Sequence, residues 1–256
     1  MSDPQPQMLR VEADGWPRDI AVLHVAGAAP GIFWLGGFKS EMTGTKAAAL
    51  ADYAIANGRE VTRFDYSGHG QSSGAFTEGT IGRWLDEATE VFDRFTSGPQ
   101  ILVGSSMGGW IALLLARRLA ARGETARLAA LVLVAPATDM TDSLMWRNWS
   151  DEIRERLLRE GSLSRPSQYA EEPTVITREL VEEGRRHLFG DAPIAVGCPV
   201  HILHGAADPD VPVGHSVDLV SQLAEDEVVL AIIKDGDHRL SRPQDIERLV
   251  ATVAAI

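Results

Sequence analysis

Apolar, β-branched runs recur along the chain at 20–25, 31–35, 61–64, 100–103, 130–134, 200–203 and 228–233. Several are continuous rather than alternating, the pattern of strands covered on both faces. Helical patterns at 45–57, 81–95, 110–121, 214–224 and 245–255 lie between them and supply that cover. Strand and helix alternate, so the sequence predicts an α/β fold: a mostly parallel central sheet flanked by helices.

The alternation fails between 137 and 193, where no clear strand is predicted but at least two helical segments are. Ser150 suits an N-cap, Asp151 and Glu152 suit the first turn electrostatically, and Ile153, Leu157 and Leu158 share one side of the helix that follows. A second helix is predicted over 178–188. Ligands of open α/β sheets bind at the carboxyl ends of the strands, so 137–193 reads as a short helical cap inserted there. The 256 residues, 45% hydrophobic, suffice for one α/β domain, 1–256, that contains the insertion.

Charge and cysteine usage narrow the function. A net charge of −12 works against a nucleic-acid partner, which needs a clustered basic surface. Cys198 is the single cysteine, so neither an intramolecular disulfide nor a cysteine-based zinc cluster can form within one chain, and a reducing compartment fits. Residues 1–7 are polar and proline-rich without the basic-then-apolar order of a secretory signal, and no later segment is long and apolar enough to cross a bilayer. The expectation is a cytoplasmic protein without membrane insertion.

The densest chemistry is Gly104-Ser105-Ser106-Met107-Gly108, which follows the run 101–103 and precedes the helical pattern that starts at Trp110. A Gly-x-Ser-x-Gly at a strand-to-helix junction places the serine on a sharp elbow, where side chains at the flanking glycines would collide with backbone. Ser106 is the expected nucleophile, and the helix start offers free N–H groups to a developing negative charge. The plainer reading, a Gly/Ser turn after a buried strand, lacks a reason for this context.

A serine needs a base, and an elbow of this kind takes an acid and then a histidine downstream. His238 follows the strand 228–233 through Lys234-Asp235-Gly236-Asp237, at a carboxyl end, whereas His215 opens a helix and reads as a surface residue. Asp208 is the first carboxylate after the strand 200–203, and Pro209 restricts its backbone. Asp210 reads as a helix cap, and Asp139 is the reserve acid. In the loop after 31–35, Gly36-Gly37 lets backbone pass close to the elbow, so the amides of Phe38 and Met107 are the expected oxyanion hole.

Other clusters carry less. Asp65-Tyr66-Ser67-Gly68-His69-Gly70-Gln71-Ser72-Ser73-Gly74 has glycines for a tight turn but neither the spacing nor the lysine of a phosphate loop, so no cofactor is expected. His201 and His204 point to opposite faces of a strand, and Asp235, Asp237 and His238 are better used around the catalytic histidine, so no metal is expected either. Leu144, Met145, Trp146, Trp149, Tyr169 and Phe189 give the insertion an apolar content that serves an acyl chain or simply its own core.

Leu35-Gly36-Gly37-Phe38, Arg63-Phe64-Asp65-Tyr66-Ser67-Gly68-His69-Gly70, Gly104 to Trp110, His204-Gly205-Ala206-Ala207-Asp208 and Gly236-Asp237-His238 together resemble the successive signatures of the α/β-hydrolase superfamily. More narrowly the chain resembles the mitochondrial palmitoyl-protein thioesterase branch, which also hydrolyses acyl glucuronides, from about 31 to 243, including 173–179 and 234–243. The resemblance implies Ser106, Asp208 and His238 as a triad that cleaves esters or thioesters of small molecules or acylated proteins through an acyl-enzyme. Two departures stand out: Gly36-Gly37 replaces the usual His-Gly, and no organellar transit sequence is recognised. A peptidase or lactonase on the same fold, or a non-catalytic ligand-binding homologue, are the other readings.

Overall fold

The computed structural model describes residues 5–166, 173–223 and 226–256. Its central element is an eight-stranded sheet in the order β1-β2-β4-β3-β5-β6-β9-β10. The strands are β1 (Gln7–Val11), β2 (Arg18–Val25), β3 (Ala28–Leu35), β4 (Arg59–Phe64), β5 (Gln100–Ser105), β6 (Leu128–Val134), β9 (Val200–Gly205) and β10 (Val228–Ile233). The first three in that order pair antiparallel and the rest parallel. Crossovers are made by α1 (Thr45–Ala56), α2 (Ile81–Phe95), α3 (Met107–Ala121) and α6 (Val213–Gln222), and α7 (Pro243–Ala254) ends the chain.

The continuous apolar strands are explained by two cores. Ile32 and Trp34 of β3 face α1 and α7, against Leu50, Ala54, Leu249 and Val253. Phe33 and Leu35 of the same strand face the opposite layer, with Trp84 of α2 and Trp110 and Leu114 of α3. Each central strand thus buries both sides, and alternation has nothing polar to show.

Between 137 and 193 the sequence reading needs correction. Two short strands, β7 (Ser162–Arg165) and β8 (Thr174–Thr177), pair antiparallel with each other apart from the main sheet. At four residues each, with little apolar content, they gave no period to detect. Helix α4 (Asp151–Glu160) starts where expected, with the Ser150 hydroxyl accepting from the Ile153 amide. Leu157 is buried but Ile153 and Leu158 stay exposed, so the apolar stripe is narrower than predicted. Helix α5 (Arg178–Gly184) gives way to a single 3₁₀ turn, Arg185–His187. The strand β1 was also unforeseen, because its own residues are mostly exposed and only its pairing with β2 holds it in the sheet.

Candidate active site

The elbow is built by close approach. β5 ends at Ser105, Ser106 takes φ 55° and ψ −119°, and α3 begins at Met107. This left-handed backbone, unusual for a residue with a Cβ, costs about 1–3 kcal/mol and persists because neighbours fix it. The Ser106 amide donates to the carbonyl of Val134 at the end of β6 (2.9 Å), and the Ser106 carbonyl accepts from Ala137 and Gly109. A Cβ on Gly104 would overlap the Gly108 carbonyl, and one on Gly108 would overlap the Leu35 carbonyl, so both flanking positions require glycine.

The acid and the histidine arrive on two loops joined by backbone hydrogen bonds. Ala206 donates to the carbonyl of Ile233 (2.8 Å) and Ala207 to that of Gly236 (2.9 Å), and a Cβ on Gly205 would overlap the Gly236 carbonyl. One oxygen of Asp208 accepts from the amides of Asp210 (2.8 Å) and Val211 (2.9 Å). Its other oxygen is thereby aimed at His238 Nδ1, 2.7 Å away, and His238 Nε2 lies 3.0 Å from Ser106 Oγ. A carboxylate can only accept, so Nδ1 carries the proton and Nε2 presents its lone pair to the serine hydroxyl. The Asp208 carboxylate is fully shielded from solvent. Burial pushes its pKa up, but hydrogen bonds from His204, His238 and the Val211 amide outweigh this and hold it well below the usual carboxylate range.

Across the elbow from these loops runs the turn after β3. A Cβ on Gly37 would lie 3.2 Å from the Ser105 carbonyl and 3.4 Å from the Ser106 Cβ, so this backbone passes directly beside the serine. The Met107 amide is the first of α3 and has no partner within the helix. Among the described residues no hydrogen bond engages the Phe38 amide either. These two donors lie on the turn after β3 and at the start of α3, elements that the strand order β3-β5 makes neighbours.

The remaining candidates lie elsewhere. Asp139 accepts from the amides of Phe189 (3.0 Å) and Gly190 (2.8 Å), which ties the two ends of the inserted segment together instead of reaching His238. His215 is half-buried, not a surface residue, and bonds the Thr138 carbonyl at 2.8 Å. Asp235 pairs with Arg242, and Asp237 accepts from the Leu240 amide. Asp208, Asp210 and His238 could offer three ligand atoms to a metal, but the first and last already face each other and the serine. Burial pushes the Cys198 thiol up to about 12, which keeps it protonated. Trp149 and Phe189 are buried core; Leu144, Met145 and Trp146 are half-buried against it, and Tyr169 lies outside the described residues.

Two histidines bonded to the loops that bear Asp208 and Phe38 were missed. His204 is completely buried, with Nδ1 2.7 Å from Ser216 Oγ and Nε2 2.9 Å from the Val211 carbonyl and 3.4 Å from Asp208. His69 sits in the loop read only as a turn. The usable signal for His204 was its place on a buried strand four residues before an acid.

Known proteins resemble this chain along most of its length. Residues 33–185 match the family model described as "Serine aminopeptidase, S33". The human "Palmitoyl-protein thioesterase ABHD10, mitochondrial" is 36% identical over 236 residues, 92% of this chain and 75% of that protein. Among solved structures, a putative hydrolase from Agrobacterium vitis S4 has a TM-score of 0.94 at 47% identity, covering 98% of both chains. Mouse alpha/beta hydrolase domain-containing protein 10 has a TM-score of 0.85 at 31% identity, covering 97% of both. With this much of the chain matched, the protein belongs to the α/β-hydrolase superfamily and, within it, to the family described as Serine aminopeptidase, S33.

Proposed function

We propose that this protein hydrolyses carboxylic thioesters and esters through an acyl-enzyme on Ser106. The observation that carries the reading is the unbroken chain Ser106 Oγ to His238 Nε2 (3.0 Å) and His238 Nδ1 to Asp208 (2.7 Å). His238 takes the hydroxyl proton as Ser106 Oγ adds to the acyl carbonyl, and the amides of Phe38 and Met107 receive the oxyanion. Asp208, ionised and fixed by two backbone amides, stabilises the imidazolium. Collapse of the tetrahedral species expels the thiol or alcohol with the proton from His238. Water then attacks the acyl group with His238 again as base and releases the acid and free Ser106.

Thioesters and esters suit this site because their leaving groups need little help, and the named activity of the human relative supports an acylated substrate. We assign 137–193 as a cap within one domain, whose half-buried Leu144, Met145 and Trp146 offer apolar surface to an acyl chain. The described residues include no helix long and apolar enough to cross a membrane. The compartment we propose is the cytoplasm, a reducing one, on the strength of the single free thiol, although the curated relatives are named as mitochondrial. The family description favours a second reading, peptide-bond cleavage at an amino terminus.

Labelling with a fluorophosphonate tests the central claim. The wild type is expected to be modified at Ser106 and the Ser106→Ala variant not at all; equal labelling of both would refute the assignment. A panel of acyl thioesters, esters and aminoacyl amides separates the two readings, with turnover confined to the amides favouring the peptidase.

A further inference from the structure

The turn that bears Phe38 is held from a neighbouring loop. After β4, residues 65–74 fold back beside the turn after β3 and fasten it at two points. Asp65 accepts from the Met42 amide (2.6 Å), and His69 Nε2 accepts from the Lys39 amide (3.1 Å). His69 Nδ1 lies 3.1 Å from the Ser67 carbonyl. A backbone amide can only donate and a carbonyl can only accept, so these partners select one neutral tautomer, with the proton on Nδ1 and the lone pair on Nε2.

The Lys39 amide lies within a demanding turn. Ser40 donates to the Gly37 carbonyl (3.0 Å), and that carbonyl shares its peptide plane with the Phe38 N–H, which therefore points the opposite way. Lys39 then takes a φ of 58°, the left-handed region in which a lysine is strained and in need of support. The Phe38 ring packs 4.8 Å from Phe76 and 5.8 Å from Trp84, and the His69 ring contacts the same two rings at 5.2 and 5.3 Å. One aromatic cluster thus grips both the Phe38 side chain and the acceptor for the amide that follows it.

From this geometry we infer that His69 is a positioning residue for acyl transfer, holding the Phe38 N–H in place for the oxyanion by accepting the Lys39 amide. The inference rests on the hydrolase reading above. The ring itself touches no substrate.

The electrostatics agree with an acceptor role. Burial lowers the His69 pKa to about 4, the Ser67 carbonyl and Glu41 raise it by less, and Lys39 lowers it further. The unfolded chain binds this proton near pH 6.5 and the folded one only near 4, so the fold loses stability as pH falls through that window. Below about 4 a protonated Nε2 cannot accept, and the turn is released.

Two variants and one spectrum test the role. His69→Phe keeps the aromatic packing and removes the acceptor, whereas His69→Gln places an amide oxygen near Nε2. With a thioester substrate, His69→Phe is expected to lower kcat about 10- to 100-fold with KM within about threefold, and His69→Gln to recover most of the loss. In wild-type protein, ¹⁵N–¹H spectra of the ring should show the Nδ1–H tautomer down to about pH 4. Retention of kcat within twofold in His69→Phe, equal losses in both variants, or an ordinary histidine titration each overturn the inference. Failure of the hydrolase reading is a different result: no turnover and no fluorophosphonate labelling in the wild type.

Discussion

Around Ser106 the chain is held by backbone hydrogen bonds and by glycines that let one segment lie against another, whereas across 137–193 a short strand pair and a few core side chains are supplemented at the surface by side-chain ion pairs and rings. The first region joins the ends of β3, β5, β6, β9 and β10 through contacts such as Ser106 to Val134 and Ala207 to Gly236. The second adds Arg147–Asp142, Arg154–Asp151 and Arg178–Glu182, and Trp146 flanked by Arg154 and Arg185. Backbone contacts in the first are set by steric limits and barely feel salt. Exposed ion pairs in the second contribute roughly 0–1 kcal/mol each and are screened.

The contrast is sharpest at Asp208. Asp208→Asn keeps the shape of the loop but not the charge or tautomer control, and kcat should fall about 10³–10⁴-fold with the segment 137–193 unaffected. The same change bears on acid stability. The folded carboxyl titrates below the unfolded value of 3.8, so it stabilises the fold above that pH and the contribution disappears as pH falls through the folded pKa. The Asn variant should therefore show a shallower acid-unfolding curve, followed by far-ultraviolet circular dichroism.

Gly108→Ala is next in size. Its methyl would overlap the Leu35 carbonyl, which cannot move without shifting β3 or α3, and about 3 kcal/mol of stability should be lost, measured by urea unfolding. A loss below about 0.5 kcal/mol would show that the elbow has slack.

The smallest expected effect is in the segment 137–193. Arg154 donates to the Trp146 carbonyl (2.9 Å), to Asp151 (3.0 Å) and to the Arg147 carbonyl (3.2 Å). Arg154→Ala should destabilise this segment by about 1 kcal/mol, seen as roughly fivefold faster amide exchange in α4 with no change in the strands. Raising salt in the wild type should reproduce part of that effect. Faster exchange spreading into β5 would mean that the two regions are not separately held.

These differences also explain what could be read from the chain. Continuous apolar runs marked the central strands because both faces are buried, and the Gly-x-Ser-x-Gly elbow was visible because each residue answers a local steric demand. His238 was separable from His215 because it follows a strand rather than opening a helix. The pair β7 and β8 was hidden, since four half-exposed residues leave no periodic trace. His69 and His204 were hidden for another reason: their partners are 30 residues away or depend on how a loop folds back, and spacing does not say which loops meet. The Gly36-Gly37 pair raised a question about a missing side chain, while the turn draws its support from His69 on a different loop.

Asp139 has a consequence that reaches past this one protein. By accepting from both Phe189 and Gly190 it clasps the point where the chain leaves the sheet to the point where it comes back. A clasp of this kind holds both ends of the segment between the two points, so a change among its exposed residues leaves the ends anchored to the same place on the sheet. Variation in what the protein accepts as substrate can then accumulate there without rebuilding the machinery that cuts it.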